Sequence, residues 1–201
     1  MHQQGIDKEF FKSGYRFISG IDEAGRGPLA GPVVASAVIL PPEIIIPGID
    51  DSKKLSSKKR ERLFDVIQNV ALSVGIGIIS SDIIDEKNIL EATKIAMIEA
   101  ESNLTITPDL LIIDGIIPIN SLTKQYTIKK GDSISQSIAA ASIIAKVTRD
   151  RIMLEYDLKY PQYLFSKHKG YGTQEHLERI KEFGPCYIHR KSFRGIKEIL
   201  V

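Results

Sequence analysis

Apolar positions in this chain fall into short runs of period two and longer stretches of period near 3.6. Phe17, Ile18 and Ile21 form a β-prone run that ends at an acidic pair, Asp22 and Glu23. Residues 33–40, V-V-A-S-A-V-I-L, predict a second strand stopped by Pro41 and Pro42, paired antiparallel with the first. Residues 43–48 carry Ile44 to Ile46 between prolines, which predicts a loop with an apolar anchor. A helix is expected from Ser57 to Asn69, with Leu63, Phe64 and Ile67 inward and Ser56 or Ser57 as its cap. Over 71–79, Leu72, Val74, Ile76 and Ile78 alternate with Ser73, Gly75 and Gly77, a third strand packed through one face that completes a meander.

Asp82 to Asp85 reads as a connection. Ile89 to Asn103 reads as a helix with Ile95, Ile98 and Met97 inward, capped by Asn88 with Glu91 as reciprocal partner. The continuous run Leu110 to Ile113 closes on Asp114-Gly115, a central strand buried on both faces with a carboxylate at its carboxyl end. Ligands bind at that rim in open α/β sheets. Tyr126 to Lys129 predicts a last short strand. The longest helical stretch runs from Ser133 to about Arg151, where Ile134, Ile138, Ala141 and Ala145 recur at helical spacing among small residues that allow close approach to a sheet. Asp132 stands at its start, either as a helix cap or as a site carboxylate. Lys146, Arg149 and Arg151 complement the helix dipole. The tail predicts helices at Ile152–Tyr160 and Gln174–Glu182 and a short piece near Ile196.

Composition narrows the class. In 201 residues, 43% are apolar and 26% charged, as in a soluble globular protein. The net charge of +2 excludes a general polycation, so any nucleic-acid footprint rests on local clusters. A lone Cys186 forms no internal disulfide and suits the cytoplasm. The amino-terminal residues lack a signal-peptide core, and no apolar run approaches the ~20 residues that span a bilayer, so export and membrane insertion are not expected.

Chemistry concentrates in Gly20 to Pro32, G-I-D-E-A-G-R-G-P-L-A-G-P. On an extended strand Asp22 and Glu23 point to opposite faces, so serving one site requires a turn, which Gly20 and Gly25 would permit. Gly25-Arg26-Gly27 offers unobstructed main-chain N–H groups and a guanidinium able to grip a phosphate. An ordinary polar turn between strands is the alternative. Lys53, within D-S-K-K, is a phosphate-contact candidate, and Lys58, Lys59, Arg60 and Arg62 extend that patch. From Phe165 to Gly172, Lys167, Lys169 and Tyr171 suit a loop whose cations meet phosphates while a ring stacks. His168, His176 and His189 show no zinc-ligand spacing with cysteine.

The Gly20–Pro32 motif resembles the first motif of the type 2 ribonuclease H family, specifically bacterial ribonuclease HII. The Asp114 strand and G-D-S-I-S-Q-S-I-A-A-A-S-I-I-A-K-V-T-R-D extend the resemblance over nearly the whole chain in the right order. It implies an α/β, ribonuclease H-like fold: a mixed five-stranded sheet, three antiparallel strands followed by two parallel ones, flanked by helices. Residues 1–201 would form one catalytic domain, with a sheet core over about 1–150 and a helical, substrate-binding part over about 151–201. Asp22, Glu23, Asp114 and Asp132 would converge on two Mg2+ or Mn2+ ions, since an oxygen-only cluster selects hard cations. The implied reaction is hydrolysis of the RNA strand of RNA-DNA hybrids and nicking 5′ of ribonucleotides embedded in duplex DNA, leaving 3′-OH and 5′-phosphate. Gly25, Arg26 and Gly27 would read the 2′-hydroxyl, and Tyr171 of the K-G-Y motif would pack on the adjacent sugar. The expected partners are these nucleic acids alone, for a cytoplasmic monomer with no clear clamp-binding peptide in Gly195 to Val201. Two rivals stay open: a junction resolvase of related fold, and a non-catalytic nucleic-acid-binding protein.

Overall fold

The computed structural model describes residues 5–42, 44–49 and 55–199. Strands β1 (Ile18–Ala24), β2 (Val33–Ile39), β3 (Ser73–Ile79), β4 (Leu110–Asp114) and β5 (Gln125–Ile128) form one five-stranded sheet in the order β3-β2-β1-β4-β5. β1 and β3 flank β2 antiparallel, while β4 lies parallel to both β1 and β5. This is the expected mixed sheet. Helices α1 (Gly5–Lys12), α2 (Ser57–Val70), α3 (Ser81–Lys87), α4 (Ile89–Ser102), α5 (Gln136–Lys159), α6 (Phe165–His168) and α7 (Gln174–Phe183) surround it.

Strand alternation divides β1 between the two layers. Ile18 packs with Ile138 of α5, and Gly20 sits so close that a Cβ there would lie 2.1 Å from the Ser137 carbonyl carbon. Ile21 packs with Ala92 and Ala96 of α4 on the opposite side. Gly20 is therefore an in-strand point of close helix approach, not the turn expected of it. β1 also runs two residues past Asp22, so the acidic pair lies within the strand.

The third strand corrects its own pattern. Ser73, Gly75 and Gly77 are the buried row of β3, whereas Ile78 is exposed and Val74 and Ile76 are half-buried. Added Cβ atoms at Gly75 and Gly77 would meet the Ala100 and Ala96 carbonyls at 2.0 Å, so the backbone of α4 rests on bare glycine. For the same reason α4 buries Ala92, Ala96, Met97 and Ala100 against the sheet; Met97 and half-buried Ile98 pack inward as expected, whereas Ile95 is exposed. Asp82 to Asp85, read as a connection, lie within α3.

α5 begins three residues later than expected and continues through Arg151 to Lys159, so the separate helix expected at Ile152–Tyr160 is its last turns. Ser135 caps it by accepting from the Ile138 N–H. Asp132 lies upstream in a 3-10 turn, Gly131–Ser133, so it is not the cap of α5. The amino-terminal α1 brings Asp7 to the same helix start, where its buried carboxylate accepts from Ser135 Oγ at 2.6 Å and from the Ser137 N–H at 3.0 Å.

Candidate active site

Asp22 is a buried carboxylate held from two sides. It is 5% exposed on the α5 face of β1, and its Oδ1 accepts from the Glu23 N–H at 2.8 Å. Ser142 of α5 also donates to it. Burial first, then the charges of Glu23 and Asp114, raise its pKa well above the usual carboxylate range. β4 is the parallel neighbour of β1, which is why Asp114, at its carboxyl end, comes within electrostatic reach. Asp114 Oδ1 in turn accepts from the Gly131 N–H at 2.7 Å, tying the turn that holds buried Asp132 to the sheet.

Glu23 faces outward enough to pair with Arg26, Oε1 to Nη1 at 3.2 Å. As the side chains stand, no three acidic, histidine or cysteine groups among the described residues gather closely enough to clasp an ion. The donor chemistry nevertheless fits a hard divalent cation. The donors are all oxygen, Asp22 is destabilised by its anionic neighbours, and Glu23 already draws a cation, Arg26.

A cleft of about 180 Å³ opens beside this group, lined by Glu23 to Gly27, Ser142, Lys146 and Tyr171. Gly25 adopts φ +98°, a left-handed conformation that turns the chain out of β1. The Tyr171 ring is 43% exposed, with Lys146 Nζ 5.7 Å from its centroid. Thus the structure places Gly25, Arg26, Gly27 and Tyr171 in one cleft although they lie far apart in the chain. A larger cleft of about 510 Å³ between Leu29, Leu177 and Ile199 has Lys181, Arg194 and Glu198 as its charged lining and no pair of carboxylates. The chemistry belongs to the smaller one.

Lys169 is not in the cleft wall. Its backbone is left-handed, and its ammonium donates to the Ser166 carbonyl, while burial lowers its pKa. Lys167 pairs with Glu175 at 2.7 Å on the surface. Arg60 turns back onto the Leu55 carbonyl and Asp150. Lys53 falls outside the described residues.

Charge pattern alone hid the groups that hold the two loops together. Arg149, read as a dipole partner, and Arg190 are both fully buried. Their guanidinium groups donate to main-chain carbonyls of residues 25–32 and of Lys169. His168, His176 and His189 cluster with Cys186 beneath the Tyr171 loop. His176 donates from Nδ1 to the Tyr171 carbonyl at 2.9 Å, so its Nε2 accepts from His189 Nε2 at 3.1 Å. His189 Nδ1 then accepts from the Cys186 N–H at 2.9 Å. Burial lowers His176 to about 3 and His189 to about 4, and pushes Cys186 up to about 11. All three rings are neutral structural groups.

The sequence profile of the family described as Ribonuclease HII matches residues 19–196, an interval that contains Asp22, Glu23, Asp114, Asp132 and both loops of the smaller cleft. The chain belongs to the ribonuclease HII family. It is 59% identical over 187 residues to ribonuclease HII of Geobacter metallireducens, covering 93% of this chain and 88% of that protein. Ribonuclease H2 from Pyrococcus horikoshii OT3 superposes with a TM-score of 0.76 at 28% identity, over 91% of this chain and 96% of that one. Bst-RNase HIII, solved in complex with Mn2+, shares the fold at a TM-score of 0.69 and 18% identity, over 92% and 69% of the two chains. Membership of the ribonuclease HII family makes the chain a ribonuclease H, an endonuclease of the hydrolase class. No helix among the described residues is long and apolar enough to cross a membrane.

Proposed function

We propose that the chain hydrolyses the RNA strand of RNA-DNA hybrids and nicks duplex DNA on the 5′ side of an embedded ribonucleotide. The supporting observation is a buried carboxylate, Asp22, raised in pKa by the charges of Glu23 and Asp114 and lying beside a cleft that holds the Gly25-Arg26-Gly27 backbone and the Tyr171 ring. Asp22, Glu23, Asp114 and Asp132 would hold two Mg2+ or Mn2+ ions. When bound, such ions activate a water and stabilise the leaving oxygen of an in-line displacement.

The chain's own residues supply position and selectivity. Asp22 is fixed by Ser142 and by the Glu23 N–H, so its carboxylate orientation is set before substrate arrives. Glu23 would ligate through its side chain or its main-chain carbonyl, and Arg26, half-exposed beside it, would grip a phosphate. Lys146, beside the Tyr171 ring in the cleft wall, is held by an ion pair with Asp150 at 2.7 Å. The main-chain donors of Gly25 to Gly27 read the 2′-hydroxyl, the group that separates RNA from DNA, and Tyr171 packs on the neighbouring sugar. In the reaction a water oxygen bonds to phosphorus and the bond from phosphorus to the preceding 3′-oxygen breaks. That oxygen takes a proton, which leaves 3′-OH and 5′-phosphate ends.

The reading is tested by incubating a labelled RNA-DNA hybrid with Mg2+, with Mn2+ and with EDTA. Internal cuts in the RNA strand alone, abolished by EDTA, are expected. Cutting that persists in EDTA, or equal cutting of the DNA strand, would overturn it and favour a different nuclease.

A further inference from the structure

Two buried cations lie directly under the loops that face the cleft. Arg190, 0% exposed, donates from Nη1 to the Arg26 carbonyl at 3.0 Å and from Nη2 to the Gly25 carbonyl, and also reaches Gly31 and Pro32. Arg149, also 0% exposed, donates to the Pro32, Ala30 and Lys169 carbonyls, each at 3.0 Å. One guanidinium thus gathers the Gly25–Pro32 loop, and the other ties that loop to the Lys169–Tyr171 loop. Direct backbone contact reinforces the junction, since the Leu29 N–H donates to the Gly170 carbonyl at 2.8 Å.

Peptide geometry gives this a directional consequence. In a planar trans peptide the carbonyl and the following N–H point opposite ways. Drawing the Gly25 and Arg26 carbonyls inward therefore turns the N–H groups of Arg26 and Gly27 outward, on the loop that lines the cleft. A cation on each carbonyl also polarises the peptide and strengthens its N–H as a donor.

Only arginine suits both positions. Its planar fork carries five donors, enough to satisfy carbonyls from several residues at once, whereas a lysine has three donors on one atom. Burial lowers Arg149 to about 10 and Arg190 to about 9, and the nearby Arg149 charge contributes to the fall at Arg190. Both remain cationic at neutral pH. Burying two like charges costs stability, which the carbonyls that each guanidinium satisfies offset.

We infer that Arg190 and Arg149 are positioning residues for ribonucleotide recognition. Arg190 aims the Arg26 and Gly27 N–H groups into the cleft, and Arg149 fixes their distance from the Tyr171 ring. The inference rests on the proposed reading of these loops as the substrate contacts.

Arg190→Lys and Arg149→Lys separate positioning from general binding. For each, kcat and KM are measured on a DNA duplex with one ribonucleotide, and an all-DNA duplex is titrated as competitor. Misplacing the recognition groups by about 1 Å costs on the order of 100-fold in turnover, so kcat/KM should fall by about that factor, mainly through kcat. The competitor Ki should stay within about threefold, because phosphate contacts dominate non-specific binding. Unchanged kcat/KM, or a parallel loss of Ki and kcat/KM, would overturn the inference. Should the lysine variants fail to fold, Gly170→Ala leaves both arginines in place. Its Cβ would meet the Ala30 carbonyl at 2.6 Å from a backbone φ of +83°, which forces the loops apart. The same selective loss is expected there, and full kcat/KM in Gly170→Ala would contradict it. A wild type that cuts neither this duplex nor a long hybrid would overturn the substrate reading itself, and the inference with it.

Discussion

Asp22 combines the two demands of a site carboxylate, which are to be buried and to be surrounded by like charge. Its raised pKa reflects an anion held in the fold at a cost. Asp22→Asn should therefore abolish cleavage while raising Tm in EDTA by roughly 2–8 °C, the equivalent of about 1–2 kcal/mol. Added Mg2+ should stabilise the wild type and not the variant. Melting curves check both, and a lower Tm for the variant in EDTA would contradict the account of Asp22. Asp22 and Asp114 stand out in the sequence because each follows an apolar run, and the structure brings the two together on neighbouring parallel strands. Arg149 and Arg190 do not stand out, because charged residues ordinarily face water and nothing local marks one that satisfies distant carbonyls. Nor does spacing show that the Lys169 ammonium donates to the Ser166 carbonyl.

At the scale of elements, the site depends on how closely helices approach the sheet. All five strands and most helices follow from apolar runs and their period, but which row of β3 lies under α4 does not. Period two shows that faces alternate, and whether the apolar row or the glycine row is covered depends on the helix that lands there. Here the backbone of α4 occupies the glycine row. The same principle places α5 over Gly20, one strand repeat before Asp22. Gly20→Ala would drive a Cβ into the Ser137 and Ile138 backbone. It should cost about 1–3 kcal/mol of stability by overpacking, and at least tenfold in cleavage rate because Ser142 moves away from Asp22. Denaturant unfolding and single-turnover cleavage read the two effects. Full activity with full stability would show that this contact does not set the site.

The whole molecule joins a sheet that carries carboxylates to a helical carboxyl-terminal part that carries Tyr171, with α5 continuous through both. The neutral histidines lock that second part. His176 and His189 take up protons only near pH 3 and 4 in the folded protein, against about 6.5 when unfolded. Their depressed pKa values contribute stability that is fully present above about pH 6.5 and is lost as pH falls through the folded values. Asp7 and Asp22, with raised pKa values, act in the opposite sense, favouring the fold toward lower pH. Comparison with His176→Gln isolates the ring. Between pH 6.5 and 4, Tm should fall more steeply in the wild type than in the variant, and equal slopes would contradict the neutral assignment.

The central claim is that the carboxylate cluster and the two loops act together on a ribonucleotide. Its most direct test is cleavage of an end-labelled DNA duplex bearing one ribonucleotide, with Mg2+ or Mn2+, beside an all-DNA duplex and an Asp114→Asn variant. The account predicts a single nick 5′ to the ribonucleotide, with 3′-OH and 5′-phosphate ends, absent from the all-DNA duplex and reduced by about 1,000-fold or more in the variant. Equal cutting of both duplexes, or full activity in the variant, would contradict it.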